Sequence, residues 1–292
     1  MFVILGATGK VGTATVETLR NEGVAVRAVL RDPSKAARFA ALGCEIAYAD
    51  IKDIPALARA MEESTAVQVI CPIAPQAENA AEDMLHSIAS IGAAIDIARP
   101  RRVLAISDYG AHLSVDTGIT KIFYAMEQRL LRTASQMIFL RSAEHMENWR
   151  RFLQLAIETG KLPSMHHPIT KSIPMVSSRD IGTMAANLLL KANDSSRFPM
   201  VVHGEGPRRY TPLDVAEAMT SLCGRRITAE EIPRDQWFRV LNSGGLSESY
   251  AKLIVTLYEI HNKGFIDAER GVGEIRLGST EIAVALPSNK MS

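Results

Sequence analysis

Gly6-Ala7-Thr8-Gly9-Lys10-Val11-Gly12 follows directly on the apolar run Phe2-Val3-Ile4-Leu5. It opens a stretch, Lys10 to Asn21, in which Val11, Ala14, Thr15 and Leu19 recur at helical spacing. A strand, a glycine-rich turn and a helix in that order form an anion trap. Gly6 permits the tight reversal, and Gly9 leaves no Cβ between a pair of linked phosphates and the backbone. Gly12 allows close packing of helix on sheet. The unpaired N–H groups and the positive end of the helix dipole then face the phosphates. The spacing is G-x-x-G-x-x-G, one residue longer than the older G-x-G-x-x-G form. No G-K-[ST] follows, so the turn is not a P-loop.

Working outward, the chain repeats the alternation. Val24 to Leu30, Glu45 to Tyr48, Ala66 to Cys71, Val103 to Ile106 and Met137 to Leu140 read as strands. Between them, helices are expected from Pro33, over Ile54 to Met61, Ala77 to Ala98 and Ile119 to Ala134. Strands that are apolar almost throughout and alternate with helices specify a parallel sheet covered on both faces. The fold class is therefore α/β, a doubly wound Rossmann sheet. Ligands are expected at the carboxyl ends of its strands.

The rhythm breaks after about Asn148. Residues 1–150 are expected to form the nucleotide-binding domain. Residues 151–292 would form a smaller, mostly helical part that caps the substrate, with segment 178–204 packing back onto the first domain. Helices are expected over Asp180 to Lys191, from Pro212 with Thr211 as N-cap, over Asp235 to Leu241 and over Ser247 to Asn262. Met200 to Val202 reads as a short strand, and beyond Ala268 no pattern is visible.

The 292 residues are 47% hydrophobic and 22% charged, with a formal net charge of +1. That balance offers no footprint for nucleic acid or an anionic membrane. Cys44, Cys71 and Cys223 are too few and too scattered for a disulfide framework or a zinc site, so no metal is expected. The absence of a signal-like start or a long apolar run leads to an expected cytoplasmic protein acting on a small molecule. A homodimer or a regulatory protein partner is left open.

The end of the second strand bears on cofactor choice. An acidic residue there would bind a ribose 2′-hydroxyl; Arg31 stands there instead. A guanidinium can hold a 2′-phosphate by paired bonds, and Lys35 would add a second charge. Asp32 offers the competing reading of a ribose contact. NADP(H) is thus expected over NAD(H), which stays the alternative. Asp50 and Ile51 after the third strand would flank adenine. Cys71 and Pro72 after the fourth would line the ribose. Together with Gly6, Thr8, Gly9, Lys10, Val11, Gly12, Arg31 and Lys35 they form the expected cofactor site.

GATGKVG, VRAVLRDPSKA, AYADIKD, FLRSAEHMENW (residues 139–149), MVSSRDIGTMAANLLL and HGEGPRRYTPLDVAEAMTSLCGRRI occur in that order. In this combination the chain resembles the NmrA-like group of atypical short-chain dehydrogenases, over about 90% of its length to roughly Phe265. The resemblance implies a helical part closing over the nicotinamide. It also implies a function among NADPH-dependent quinone oxidoreductases, relatives of isoflavone reductase, and proteins that bind NADP(H) only to sense redox state.

Proton-donating machinery is harder to find. The only Tyr-x-x-x-Lys is Tyr48 to Lys52, on the adenine side. Glu127 matches a family glutamate, but Phe123 occupies the position one turn earlier where relatives carry a lysine or histidine. Lys121, Tyr109 and Ser107 are the catalytic candidates, with His112 and the pair His166-His167 behind them. Glu144 and His145 would form the cleft floor, and Asn148 would fix backbone. The expected function is hydride transfer from NADPH to a quinone or similar electron-poor carbonyl compound. The alternative is a non-catalytic NADP(H) sensor.

Overall fold

The computed structural model describes residues 1–71, 73–191 and 197–286. Its first half runs β1 (Phe2–Ile4), α1 (Lys10–Asn21), β2 (Val26–Leu30), α2 (Ala36–Ala41), β3 (Glu45–Tyr48), α3 (Ile54–Met61), β4 (Ala66–Ile70), α4 (Ala80–Ala98), β5 (Arg102–Asp108), α5 (Ile119–Leu130) and β6 (Gln136–Ser142). The second half runs β7 (Glu144–His145), α6 (Leu153–Thr159), β8 (Lys161–Ser164), β9 (Met175–Val176), α7 (Ser178–Lys191), β10 (Met200–Glu205), α8 (Pro212–Cys223), β11 (Thr228–Glu231), α9 (Trp237–Ser243), α10 (Glu248–Asn262), β12 (Glu274–Leu277) and α11 (Ile282–Ala285).

Eight strands make one sheet in the order β12-β10-β6-β5-β4-β1-β2-β3, and every pairing in it is parallel. The order reverses direction between β1 and β4, which opens a crevice at their carboxyl ends. Two apolar layers explain the continuously hydrophobic strands. Along β4, Val67 and Val69 join the layer containing α3, α4 and α5. Along β5, Leu104 and Ile106 join the opposite layer with α1 and α7.

Helix ends follow local chemistry. Asn79 caps α4 by accepting from the Glu82 N–H, and α4 ends at Arg99 in the left-handed conformation before Pro100. That cap starts the helix at Ala80, three residues later than the apolar pattern suggests. Thr211 and Asp214 form a reciprocal capping box at the start of α8.

The chain leaves the sheet after β6 and returns twice. α7 lies against α1, where a Cβ on Gly182 would come within 2.5 Å of the Val11 carbonyl oxygen, and Thr15 Oγ1 donates to Gly182 O at 3.2 Å. β10 and β12 then extend the sheet beyond β6. The 1–150 and 151–292 division is therefore crossed by α7, β10 and β12. β12 escaped the sequence pattern because Ile275 and Leu277 are 51% and 63% exposed. An edge strand wet on its outer side carries no apolar run to read. What lies outside the sheet is a smaller lobe with its own core around Trp149, Met175, Tyr210 and Met219. It includes the parallel pair β8–β11, which the sequence did not signal. Among the described residues no helix is long and apolar enough to cross a membrane.

Candidate active site

The glycine turn connects β1 to α1 at the crevice. Gly6 has φ +67°, a left-handed conformation that disfavours any side chain. A Cβ on Gly12 would stand 2.2 Å from the Gly6 carbonyl oxygen and 2.9 Å from the Ala7 Cα. The close approach that Gly12 allows is thus of the helix to its own entry turn. Thr13 Oγ1 donates to Ala7 O at 3.0 Å and ties the two together. Gly9 serves as N-cap without a side chain, so no side chain caps the first turn of α1. Thr8, Gly9 and Lys10 are exposed there, while Val11 and Gly12 are buried. An anion meeting this end finds free N–H groups and the helix dipole. Burial holds the Lys10 ammonium below its ordinary pKa and Arg150 adds to this, while Glu147 opposes it.

At the end of β2, Arg31 and Lys35 are exposed, and among the described residues neither side chain makes a hydrogen bond or an ion pair, although the Lys35 N–H donates to Asp32 O at 3.2 Å. Asp32 is committed elsewhere: its Oδ1 accepts from Ser34 N at 2.9 Å and caps the short turn Pro33–Lys35. That hydrogen bond, with the cations on either side, holds the Asp32 carboxyl below its usual range. The cations stay free and the carboxylate does not. The register sets Tyr48 of β3 beside Leu30 of β2. Tyr48 is 53% exposed, whereas Lys52 pairs with Asp83, so this tyrosine and lysine form no catalytic couple. Asp50 closes a local turn by accepting from Lys52 N at 2.9 Å and is exposed, and Ile51 is half-buried. Cys71 is 3% exposed within the core, and burial pushes its thiol up to about 12. Pro72 lies outside the described residues.

Each of the three catalytic candidates makes an internal hydrogen bond. Ser107 is buried and its Oγ donates to Glu127 Oε1 at 2.6 Å. Glu127, also buried, receives a two-point bond from Arg141, with Nε–Oε1 at 2.9 Å and Nη2–Oε2 at 2.7 Å. Arg141 Nη1 also reaches Glu269 Oε2 at 2.5 Å. The family glutamate is therefore the centre of a buried ion-pair network, and Ser107 is part of its hydrogen-bond shell. Tyr109, 1% exposed, donates to Glu205 Oε1 at 3.1 Å, and burial with that carboxylate drives its phenol pKa upward. Lys121 donates to the Ser114 carbonyl and lies 4.3 Å from the Tyr124 ring centroid. The hydroxyls of Ser107 and Tyr109 are thus each donated to a buried carboxylate, whereas the Lys121 ammonium has further N–H donors beyond its bond to Ser114. Phe123 packs against the core as its side chain requires. His112 lines a cavity of about 620 Å³ with His203, Arg209, Gly264, Phe265 and residues 267–275.

The second half supplies what the loop after β5 does not. His166 is fully buried, and its Nε2 lies 2.8 Å from Glu144 Oε2, just beyond the end of β6. His166 packs edge-on to Tyr258 and His261, with ring centroids at 4.8 and 4.9 Å. The neighbouring His166 imidazole and its hydrogen bond outweigh burial and hold the Glu144 carboxyl below its usual range. His145 bridges Ser142 Oγ at 2.9 Å and Ser178 Oγ at 3.2 Å. His167 gives only its backbone N–H, to Asn262 Oδ1. Asn148 is exposed, and its carbonyl accepts from Arg151.

Asp108 was passed over although it stands between two named candidates. It ends β5 opposite Ser142 of β6, is half-buried, and accepts from Thr120 Oγ1 at 2.6 Å. Burial, reinforced by Glu144 and Glu127, raises its pKa to about 7. The signal available in the sequence was its place as an acidic residue at a strand's carboxyl end.

Residues 6–146 match the NAD(P)H-binding family. The chain is 22% identical to an NAD(P)H azoreductase of Xenophilus azovorans over 262 residues, 89% of this chain and 87% of that protein. It is 24% identical to quinone oxidoreductase 2 of Escherichia coli over 87% of this chain and 85% of that protein. The structure of the Escherichia coli protein with NADPH superposes with a TM-score of 0.80 over 98% of both chains at 20% identity. A mutant of NmrA superposes at 0.67 over 88% of this chain and 81% of that one, at 13% identity. The first half of the chain thus matches an NAD(P)H-binding family, the whole is similar to an azoreductase and a quinone oxidoreductase, and the fold is the Rossmann-type fold of these neighbours.

Proposed function

We propose that this NAD(P)H-binding homologue of two reductases is itself a reductase, that it prefers NADPH, and that it passes hydride to a quinone or a comparably electron-poor acceptor. The observation that supports it most is the pairing of an uncapped α1 terminus with two unpartnered cations at the end of β2. The turn suits a pyrophosphate, and Arg31 with Lys35 suits a 2′-phosphate. With Asp32 occupied by Ser34, the main acidic competitor for the ribose is withdrawn.

When bound, the nicotinamide supplies the hydride; the protein's work is to hold the ring, exclude water and position the acceptor. Residues 1–150, completed by α7, β10 and β12, are assigned to the cofactor, and the smaller lobe, together with α9 and α10 that pack onto the α3–α5 layer, to the acceptor. Ser247 N donates to Pro75 O at 2.8 Å and Ala80 N to Ser249 Oγ at 2.9 Å, which ties the segment after β4 to the start of α10. The chain's overall likeness to two reductases supports turnover over pure sensing.

The test is consumption of NADPH at 340 nm with simple benzoquinones, naphthoquinones and azo dyes, alongside calorimetric titration of both cofactors. Turnover with NADPH, and tighter binding of NADPH than NADH, are expected. NADPH binding without turnover of any acceptor would overturn the reductase reading in favour of a sensor.

A further inference from the structure

We propose that Asp108 is the proton donor of the reduction, acting from the end of β5 beside the Glu144–His166 pair at the end of β6. This rests on the reductase reading above. The geometry has three parts. β5 and β6 are neighbours, and the register sets Asp108 opposite Ser142, so Asp108 and Glu144 emerge from adjacent strand ends at the carboxyl edge of the sheet. Only Oδ2 of Asp108 is engaged by a side chain, that of Thr120 at 2.6 Å. Glu144 is bonded to a fully buried imidazole at 2.8 Å.

Two carboxyls so placed divide the roles of acid and anion. Burial raises Asp108 to about 7, while the His166 imidazole and its hydrogen bond hold Glu144 down. Environments that push two neighbouring acids apart are how one site keeps a protonated carboxyl at neutral pH. The groups facing Asp108 come from each element around it. α5 contributes Thr120 and Glu127, β7 contributes Glu144, and α10 contributes Tyr250, whose buried phenol stays neutral. Asp108 is thus the acid in this wall with the right protonation state, where Ser107 and Tyr109 on either side are spent on Glu127 and Glu205.

In the step itself the acceptor takes hydride, with its two electrons, from NADPH, which is oxidised to NADP⁺. The O–H bond of Asp108 breaks, and its proton passes to the oxyanion of the reduced quinone, giving the hydroquinone. Water then reprotonates the carboxylate.

The experiment compares kcat against pH for three proteins with NADPH and 1,4-benzoquinone. The wild type should lose activity as pH rises through about 7, because the acid form is the active one. Asp108→Asn should lower kcat about 100-fold and flatten that limb, with NADPH affinity unchanged. Thr120→Val keeps the carboxyl but removes a hydrogen bond that favours its anion, so the limb should move to higher pH with turnover retained. Wild-type kcat and an unmoved limb in Asp108→Asn would overturn the proposal while leaving the reductase reading intact. Should Asp108→Asn not fold, the limb of Thr120→Val decides, and no shift there overturns it. A wild type that binds NADPH but reduces no acceptor removes both readings together.

Discussion

The two ends of the crevice are built on opposite terms. At the end of β2, Arg31 and Lys35 stand in solvent without partners, on a turn whose geometry is set within a few residues by Asp32 and Ser34. At the ends of β5 and β6, polar groups are buried and tied to residues far away in sequence. Ser107, Glu127, Arg141 and Glu269 form one chain of bonds, and Glu144 meets His166 from the other lobe. The difference teaches what each end is for. Free surface cations select a ligand by charge and cost the fold little. A buried polar network costs desolvation, and its members hold one another in place.

The strongest way to break this contrast is Glu127→Ala. It leaves Arg141 buried with only Glu269, and should destabilise the protein by about 3–5 kcal/mol in urea unfolding. A change below about 1 kcal/mol would show that the network is not held as described. Next is the acid response of the chemistry end. Burial, with His166 nearby, lowers His261 to about 3 from the model-peptide value of 6.5. A neutral folded histidine that charges when unfolded gives full stability above pH 6.5, and that stability is lost as pH falls from there toward 3. On the order of 2–4 kcal/mol should vanish over that window. His261→Phe should flatten the curve measured by denaturation at stepped pH.

Smaller effects belong to the exposed end. Arg31→Ala should weaken NADPH binding by about 1.5–3 kcal/mol and leave NADH nearly unaffected. Equal losses in calorimetry would place the 2′-phosphate elsewhere. Lys35→Ala should cost NADPH roughly 0.5 kcal/mol, an effect that added salt should erase because the charge is solvated. Neither change should move the unfolding midpoint, which separates the two ends by a second measurement.

The same contrast governs what could be read without coordinates. The boundaries of α1, β3 and α3 were legible to the residue, because periodicity and flanking glycines are local signals. The glycine turn and Arg31 were legible for the same reason. Glu144 and His166 were each visible as polar residues, but a separation of 22 positions along the chain hid their contact. Ser107 and Tyr109 were visible as hydroxyls after the fifth strand, and only the fold shows that they donate to Glu127 and Glu205. Asp108 between them looked ordinary because its environment is made by three other elements. β12 was invisible because exposure on its outer side removes the apolar pattern that marks inner strands.

The return of β10 and β12 to the sheet carries a mechanical consequence. The smaller lobe is stitched to its platform wherever the polypeptide crosses between them: after β6, before α7, after β10 and before β12. A body sewn down along several seams has no lone hinge on which to swing like a door. Admission and departure of reactants must instead proceed by loosening short seams one at a time, such as the link between Ser247 and Pro75.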